Sequence, residues 1–218
     1  MMKKYFQNIT IKKVVFMTLG VFLIGLAVSL CRLSGFGTDP FSCMNIGVSA
    51  VIGVSYGNYQ LVVNLILLVP MLICFRKAIG IGTIVNMVGV GYSAELCMFL
   101  WGRCGITIEF TTSIFPLRIV LLVAAVLVLC FGVALYMECD LGVAPYDALA
   151  QEMEVWTKGK LKFSIGRIIT DVVCVSIGFI SGHIAQLVTV GAATIVTAFF
   201  TGPVVAFFRR TVASRIVS

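Results

Sequence analysis

Charge is what this sequence has least of. Lys, Arg, Asp and Glu together make up 11% of the 218 residues, where soluble domains carry roughly 25%. Hydrophobic residues fill 60% of the chain and the mean hydropathy is +1.10. So few charges cannot clothe a water-facing surface, which excludes a soluble enzyme and a disordered chain. The sequence reads as an integral membrane protein. It has a single histidine, His183, and eight cysteines with no CxxC and no Cys/His spacing. That excludes a zinc centre and a metal-dependent protease, so no enzyme activity, metal or cofactor is expected. No P-loop is present either, so any transport would draw on an ion gradient or a separate partner. The cysteines read as small packing residues. The only disulfide the expected topology would expose on the outer side joins Cys104 to Cys31 or Cys43.

The remaining charges are mostly basic, 16 against 9, a net +7. They flank apolar runs instead of forming a patch, so the expected partner is the lipid bilayer and not nucleic acid. Six runs are long enough to cross a bilayer: Val14–Cys31, Tyr59–Phe75, Ala78–Trp101, Ile119–Met137, Phe163–Ile180 and Ile184–Phe208. Two shorter stretches, Pro40–Val54 and Pro145–Trp156, follow the first and fourth runs. Charge counting does not decide whether they cross, because both schemes place the same number of basic residues inside. Polarity does: Asp147, Gln151, Glu152 and Glu154 bar the second stretch from crossing as a bare helix. The expected fold is therefore all-α: one transmembrane domain over residues 1–218, with six spans and both termini in the cytoplasm of a cell whose plasma membrane holds it.

The two halves, about 14–101 and 119–208, read as copies of one another. Gly25-Leu26-Ala27 corresponds to Gly132-Val133-Ala134. Gly37-Thr38-Asp39-Pro40-Phe41 lines up with Gly142-Val143-Ala144-Pro145-Tyr146, both Gly-x-x-Pro-aromatic. Gln60 and Asn64 fall on Arg167 and Asp171, and Gly80–Val85 falls on Gly191–Val196. Three spans per copy is odd, so the second copy enters the membrane inverted. Inverted repeats place a transporter's site near the midplane where the copies meet. Proline suits a first helical position, where its missing N–H is no loss. Each Gly-x-x-Pro element thus opens a short helix whose free N–H groups attract negative charge. Two readings of these helices stand: re-entrant, or lying on opposite membrane surfaces.

These motifs, with Gly80-Ile81-Gly82-Thr83 and Gly202-Pro203, resemble the YczE/YyaS/YitT group of bacterial integral membrane proteins over roughly Phe16 to Phe208. The sequence departs from that pattern at Ala193, where the motif has its second glycine, and at Gly91-Tyr92. The resemblance implies a multi-pass plasma-membrane protein of a group without a settled activity.

An ionisable residue inside a membrane needs a partner or a cavity. Arg167 and Asp171 are one helical turn apart and within pairing reach, and Gln60 and Asn64 hold the equivalent face of the second span. Asp39 suits an N-cap, Glu95 an outer interface, and His183 a tight surface turn at Ser181–His183. Thr83 and Thr194 belong to small-residue faces on the third and sixth spans. The leading expectation is a transporter or permease for a small anionic or zwitterionic solute, with a coupling ion, by alternating access between the repeats. Its candidate site is Arg167, Asp171, Gln60, Asn64, Asp39, Pro40, Pro145, Asp147, Thr83 and Thr194. The alternative is a non-transporting accessory subunit of an exporter or membrane complex. The oligomeric state stays open.

Overall fold

The structure, a computed structural model, describes residues 9–74, 76–161 and 163–217. They form helices α1 (Ile11–Ser34), α2 (Pro40–Ile52), α3 (Tyr56–Cys74), α4 (Ile81–Arg103), α5 (Ile108–Ser113), α6 (Phe115–Glu138), α7 (Pro145–Trp156), α8 (Phe163–Ile184) and α9 (Ala192–Phe208). A π-helical turn, Arg209–Ala213, joins α9 to α10 (Ser214–Val217). No strand occurs among the described residues. Six segments are long and apolar enough to cross a membrane: Ile11–Ser34, Tyr56–Ile73, Ile81–Arg103, Phe115–Glu138, Ile165–Ile184 and Ala192–Val217. Among the boundaries that differ from the sequence reading, two lie between the last two spans. Helix α8 continues through Ser181 and His183 to Ile184, so the expected turn there is helical and the last span starts at Ala192. The thiols of Cys31, Cys43 and Cys104 are all free, with the first two buried.

Local chemistry sets the helix ends. Helix α1 stops at Gly35, whose φ of 65° is one that a side chain would strain. Helix α2 starts as its Gly-x-x-Pro element predicts: Pro40 is the first helical residue and the Asp39 carboxylate accepts from the Ser42 N–H at 3.1 Å. Helix α7 starts on Pro145 too, but its N-cap residue Ala144 supplies no side-chain acceptor.

The centre of the molecule is the antiparallel pair α1 and α6. Gly20 and Gly132 let the backbones touch: a Cβ on Gly20 would lie 2.7 Å from the Gly132 carbonyl, and one on Gly132 would lie 2.8 Å from the Gly20 carbonyl. At the far end the Arg118 guanidinium donates to the Ser34 and Gly35 carbonyls at 2.9 and 3.1 Å, closing the end of α1 from the start of α6. Around this pair the halves exchange their short helices. Helix α2 runs alongside α8 of the other half, and α7 leans on α3.

The segments leading into α2 and α7 carry backbone groups that no helix satisfies, and each is closed by the last span of the other half. The Ala193 N–H donates to the Phe36 carbonyl at 2.9 Å and the Thr38 N–H to the Thr189 carbonyl at 3.1 Å. In the other half the Gly82 N–H donates to the Leu141 carbonyl at 2.8 Å and the Val143 N–H to the Ala78 carbonyl at 3.0 Å. The hydroxyl of Thr194 donates to the Thr38 carbonyl at 2.6 Å, and that of Thr83 to the Val143 carbonyl at 2.9 Å. Each threonine oxygen in turn accepts from the N–H of its own helix N-cap, Gly191 or Gly80, at 3.2 and 3.1 Å. Phe36 and Leu141, Thr38 and Val143, Ala78 and Thr189, Gly82 and Ala193, and Thr83 and Thr194 are repeat-equivalent pairs. The same clasp is thus made twice, by the same positions.

Thr83→Val and Thr194→Val each leave a loop carbonyl, part-buried at Val143 and buried at Thr38, without its hydroxyl donor at nearly unchanged volume. Each should lower stability by about 1–3 kcal/mol, measured by denaturant unfolding in detergent micelles. Unchanged midpoints would show that the hydroxyls do not hold the loops.

Candidate functional site

The two short helices begin at one point. Phe41, the second residue of α2, stacks on Tyr146, the second residue of α7, with ring centroids 4.4 Å apart and planes 22° from parallel. Two helix starts are thereby brought together, each with N–H groups that its own helix leaves unpaired. The stack also brings the proline of each motif, Pro40 and Pro145, close to the seam between the halves.

Beside the stack lies a charged cluster. The Arg167 guanidinium donates to Asp147 at 2.6 Å, pairs with Asp171 at 3.4 Å and covers the Tyr146 ring at 4.6 Å. The Tyr146 hydroxyl donates to Asp171 at 2.5 Å. The pairing of Arg167 with Asp171, one turn apart on α8, follows from their spacing. The shorter bond to Asp147 does not: it joins residues of α7 and α8 that no local spacing links. The Asp147 and Arg167 side chains keep 47% and 35% of their surface exposed, against 18% for Asp171. Arg167 and Asp171 lie in the first two turns of the segment Ile165–Ile184, and Tyr146 and Asp147 reach them from the first turn of α7.

The first half presents the neutral counterpart. Ser42, Gln60 and Asn64 hold the positions of Asp147, Arg167 and Asp171. The Ser42 hydroxyl accepts from the Tyr56 hydroxyl at 3.2 Å. Gln60 and Asn64 are each 2% exposed, and Gln60 Oε1 and Asn64 Nδ2 have no hydrogen-bond partner in the protein. Thr38 Oγ1 and Asn45 Oδ1, from the same half, are also buried without partners. A buried polar atom left unpaired costs about 1–3 kcal/mol, so each of these atoms has an unmet demand for a hydrogen bond. Asp39 caps α2 close enough to feel both Arg167 and Asp171. Burial pushes its carboxyl above the ordinary range, against the pull of the Ser42 hydrogen bonds and of Arg167.

Of the residues expected at a site, Arg167, Asp171 and Asp147 form one hydrogen-bonded cluster. Asp39, Pro40 and Pro145 lie at the meeting helix starts, and Gln60 and Asn64 line the neutral half. Thr83 and Thr194 are placed in the clasps, with their hydroxyls already bonded. Glu95 bonds inward across helices: its Oε1 accepts from the Gly57 N–H at 3.0 Å and closes the start of α3. Sequence reading missed Tyr146 as a site residue, although the aromatic after each proline was part of the repeat signal. Gly53–Gly57 also spells G-x-S-x-G, the pattern of a hydrolase nucleophile elbow. Ser55 sits there in an exposed turn between two helices, its oxygen accepting from the Asn58 N–H at 3.4 Å, with none of the strand-to-helix context that chemistry requires. Among the described residues no group of His, Cys, Asp and Glu is arranged to hold a metal. Two shallow cavities lie away from the cluster: an apolar crevice of about 140 Å³ between Leu30, Trp101, Phe110 and Leu121, and a hollow of about 190 Å³ beside His183.

Residues 11–210 match the model of a family described as a family of unknown function (DUF6198), and the chain belongs to that family. It is similar to the "uncharacterized protein YyaS" of Bacillus subtilis (strain 168), 28% identical over 153 residues, covering 70% of this chain and 73% of that protein. It is similar also to an "uncharacterized protein" of Haemophilus influenzae (strain Rd), 25% identical over 197 residues, covering 88% of this chain and 80% of that one. No solved structure matches.

Arg167→Leu leaves two carboxylates facing each other without a cation, whereas Asp147→Asn/Arg167→Leu/Asp171→Asn removes every charge of the cluster. The single change should lower stability by about 1–3 kcal/mol and the triple change by less. Unfolding midpoints of the purified variants decide it, and a single change milder than the triple would show that the three groups do not act as one.

Proposed function

For this member of a family of unknown function, we propose transport of a small zwitterionic solute across the plasma membrane by alternating access, at the seam where α2 and α7 meet. The observation that carries this reading is the Phe41–Tyr146 stack, which joins the starts of two short helices beside the Arg167 cluster. Both helices are read as re-entrant. The chain turns back after α1 and after α6, and each short helix returns toward the surface it came from.

The chemistry of the seam suits a solute bearing both charges. The start of α7 has no side-chain cap and favours a carboxylate or similar anion. Asp147 and Asp171 outnumber Arg167 and favour an ammonium group. The unpartnered amides of Gln60 and Asn64 supply neutral donors and acceptors.

The inverted arrangement of the halves is part of the proposal. Antiparallel α1 and α6, the exchange of short helices and the two equivalent clasps support it, as does the odd number of spans in each half. The excess of Lys and Arg at the chain ends and in the α7–α8 connection supports cytoplasmic termini. One observation favours an accessory subunit instead: Arg167 is already neutralised within the chain, which a purely structural ion pair would also be.

Single cysteines replacing Asn64 and Asp171 in a cysteine-free background should react with a membrane-impermeant thiol reagent, and a bound solute should slow that reaction. Inertness from both sides of the membrane would sink the hydrated site and favour the accessory role. Tags in the Arg76–Lys77 turn and near Glu109 should report opposite faces of the membrane.

A further inference from the structure

The two halves pack their short helices differently. Helix α2 packs tightly along α8 because both carry glycine where they touch. A Cβ on Gly47 would lie 2.2 Å from Ser181 Oγ, and one on Gly178 would lie 2.7 Å from Cys43 Sγ and 2.9 Å from the Cys43 carbonyl carbon. The equivalent interface in the other half, α7 on α3, has Glu152 in place of Gly47 and Met71 in place of Gly178. Two large side chains stand where two glycines close the first interface, and α7 accordingly packs much less extensively on α3 than α2 does on α8. The imbalance continues outward: α3 packs on α4, whereas α8 makes no comparable interface with α9 among the described residues.

Glu152 is the unusual member of this pair. It is 0% exposed, and neither carboxyl oxygen has a hydrogen-bond partner. An ionised carboxylate left so would cost far more than the fold gains from the contact. No titratable group on the elements around it makes a hydrogen bond to Glu152. On α8, Arg167 is held by Asp147 and Asp171, and Cys174 lies further along the helix. On α3 the described groups are Tyr56 and Tyr59 at its start, and on α7 itself they are Tyr146, Asp147 and Glu154. Burial alone acts on the Glu152 carboxyl and pushes it above the usual carboxylate range.

From the buried, unpartnered carboxyl and the glycine-free interface together, we infer that Glu152 is a proton-binding site whose occupancy decides whether the α7–α3 interface is shut. Protonation forms one O–H bond on the carboxyl with a proton taken from the water at the α7 side. The neutral acid stays in the dry contact and α7 lies against α3. Loss of that proton to water leaves a carboxylate that draws water into the contact and parts the two helices. The inference rests on the transport reading and deepens it, since it gives the permease a coupling ion, the proton, at a position distinct from the Arg167 cluster.

The test needs no solute. Ala148 lies one turn before Glu152 on the same face of α7 and is fully buried. In full-length, cysteine-free protein carrying Ala148→Cys, reaction with a water-soluble maleimide is followed across pH and normalised to a protein whose single cysteine is the exposed Cys104. The normalised rate should rise about tenfold per pH unit below the pKa of the carboxyl, as one-proton ionisation requires. With Glu152→Gln it should stay low at every pH, and with Glu152→Asp the step should persist at a shifted pH. An infrared band of a protonated carboxyl should also vanish in Glu152→Gln. Equal pH profiles with and without Glu152→Gln would overturn the proton site. That outcome is separate from failure at Asn64 and Asp171, which would remove the solute site and leave the proton site standing.

Discussion

A buried backbone segment that belongs to no helix must find its hydrogen bonds elsewhere in the protein, because neither lipid nor a packed interior offers them. Much that is specific about this fold follows from how two such segments meet that demand. The segments before α2 and α7 present carbonyls and N–H groups that no helix can use, and each is closed by the glycine-led start of a span from the opposite half. Thr83 and Thr194 supply the hydroxyl that completes each closure. The two segments so fixed lead to the Phe41–Tyr146 stack, beside which Asp147 of α7 reaches the Arg167–Asp171 pair of α8.

Much of this was legible in the sequence, for physical reasons that differ by residue. The spans follow from apolar run length, and the non-spanning nature of α7 from its carboxylates. Asp39 and Pro40 announce a helix start because capping and the missing proline N–H are local effects. Repetition of glycine, proline and threonine in one order marks the positions that make the two clasps. What local patterns cannot carry is long-range geometry. The bond from Arg167 to Asp147 joins two helices across a connection, so spacing on α8 revealed only the weaker partner, Asp171. The threonines were legible as small-residue positions but not as donors, since their acceptors, Thr38 and Val143, lie in the other half. The end of α8 was misplaced for a further reason. Ser181, Gly182 and His183 resemble a turn in composition, and packing against Thr189, whose hydroxyl donates to the Gly178 carbonyl at 2.7 Å, keeps them helical.

Where the copies differ, the differences are concentrated. Neutral Ser42, Gln60 and Asn64 stand opposite charged Asp147, Arg167 and Asp171, and Gly47 and Gly178 stand opposite Glu152 and Met71. The conserved backbone plan therefore carries two unlike chemistries: one half closed by glycine contacts and lined by amides, the other charged and more loosely packed. A perfectly symmetric pair would give its two surfaces no difference in affinity, and a ligand with equal affinity for two states shifts neither.

The exchange of short helices makes the two halves interdependent. Either half taken alone leaves the segment before its short helix open, because the span that closes it belongs to the other half. The carbonyls of Thr38 and Val143 find their hydroxyl donors only across that divide, so neither half is a self-sufficient folding unit.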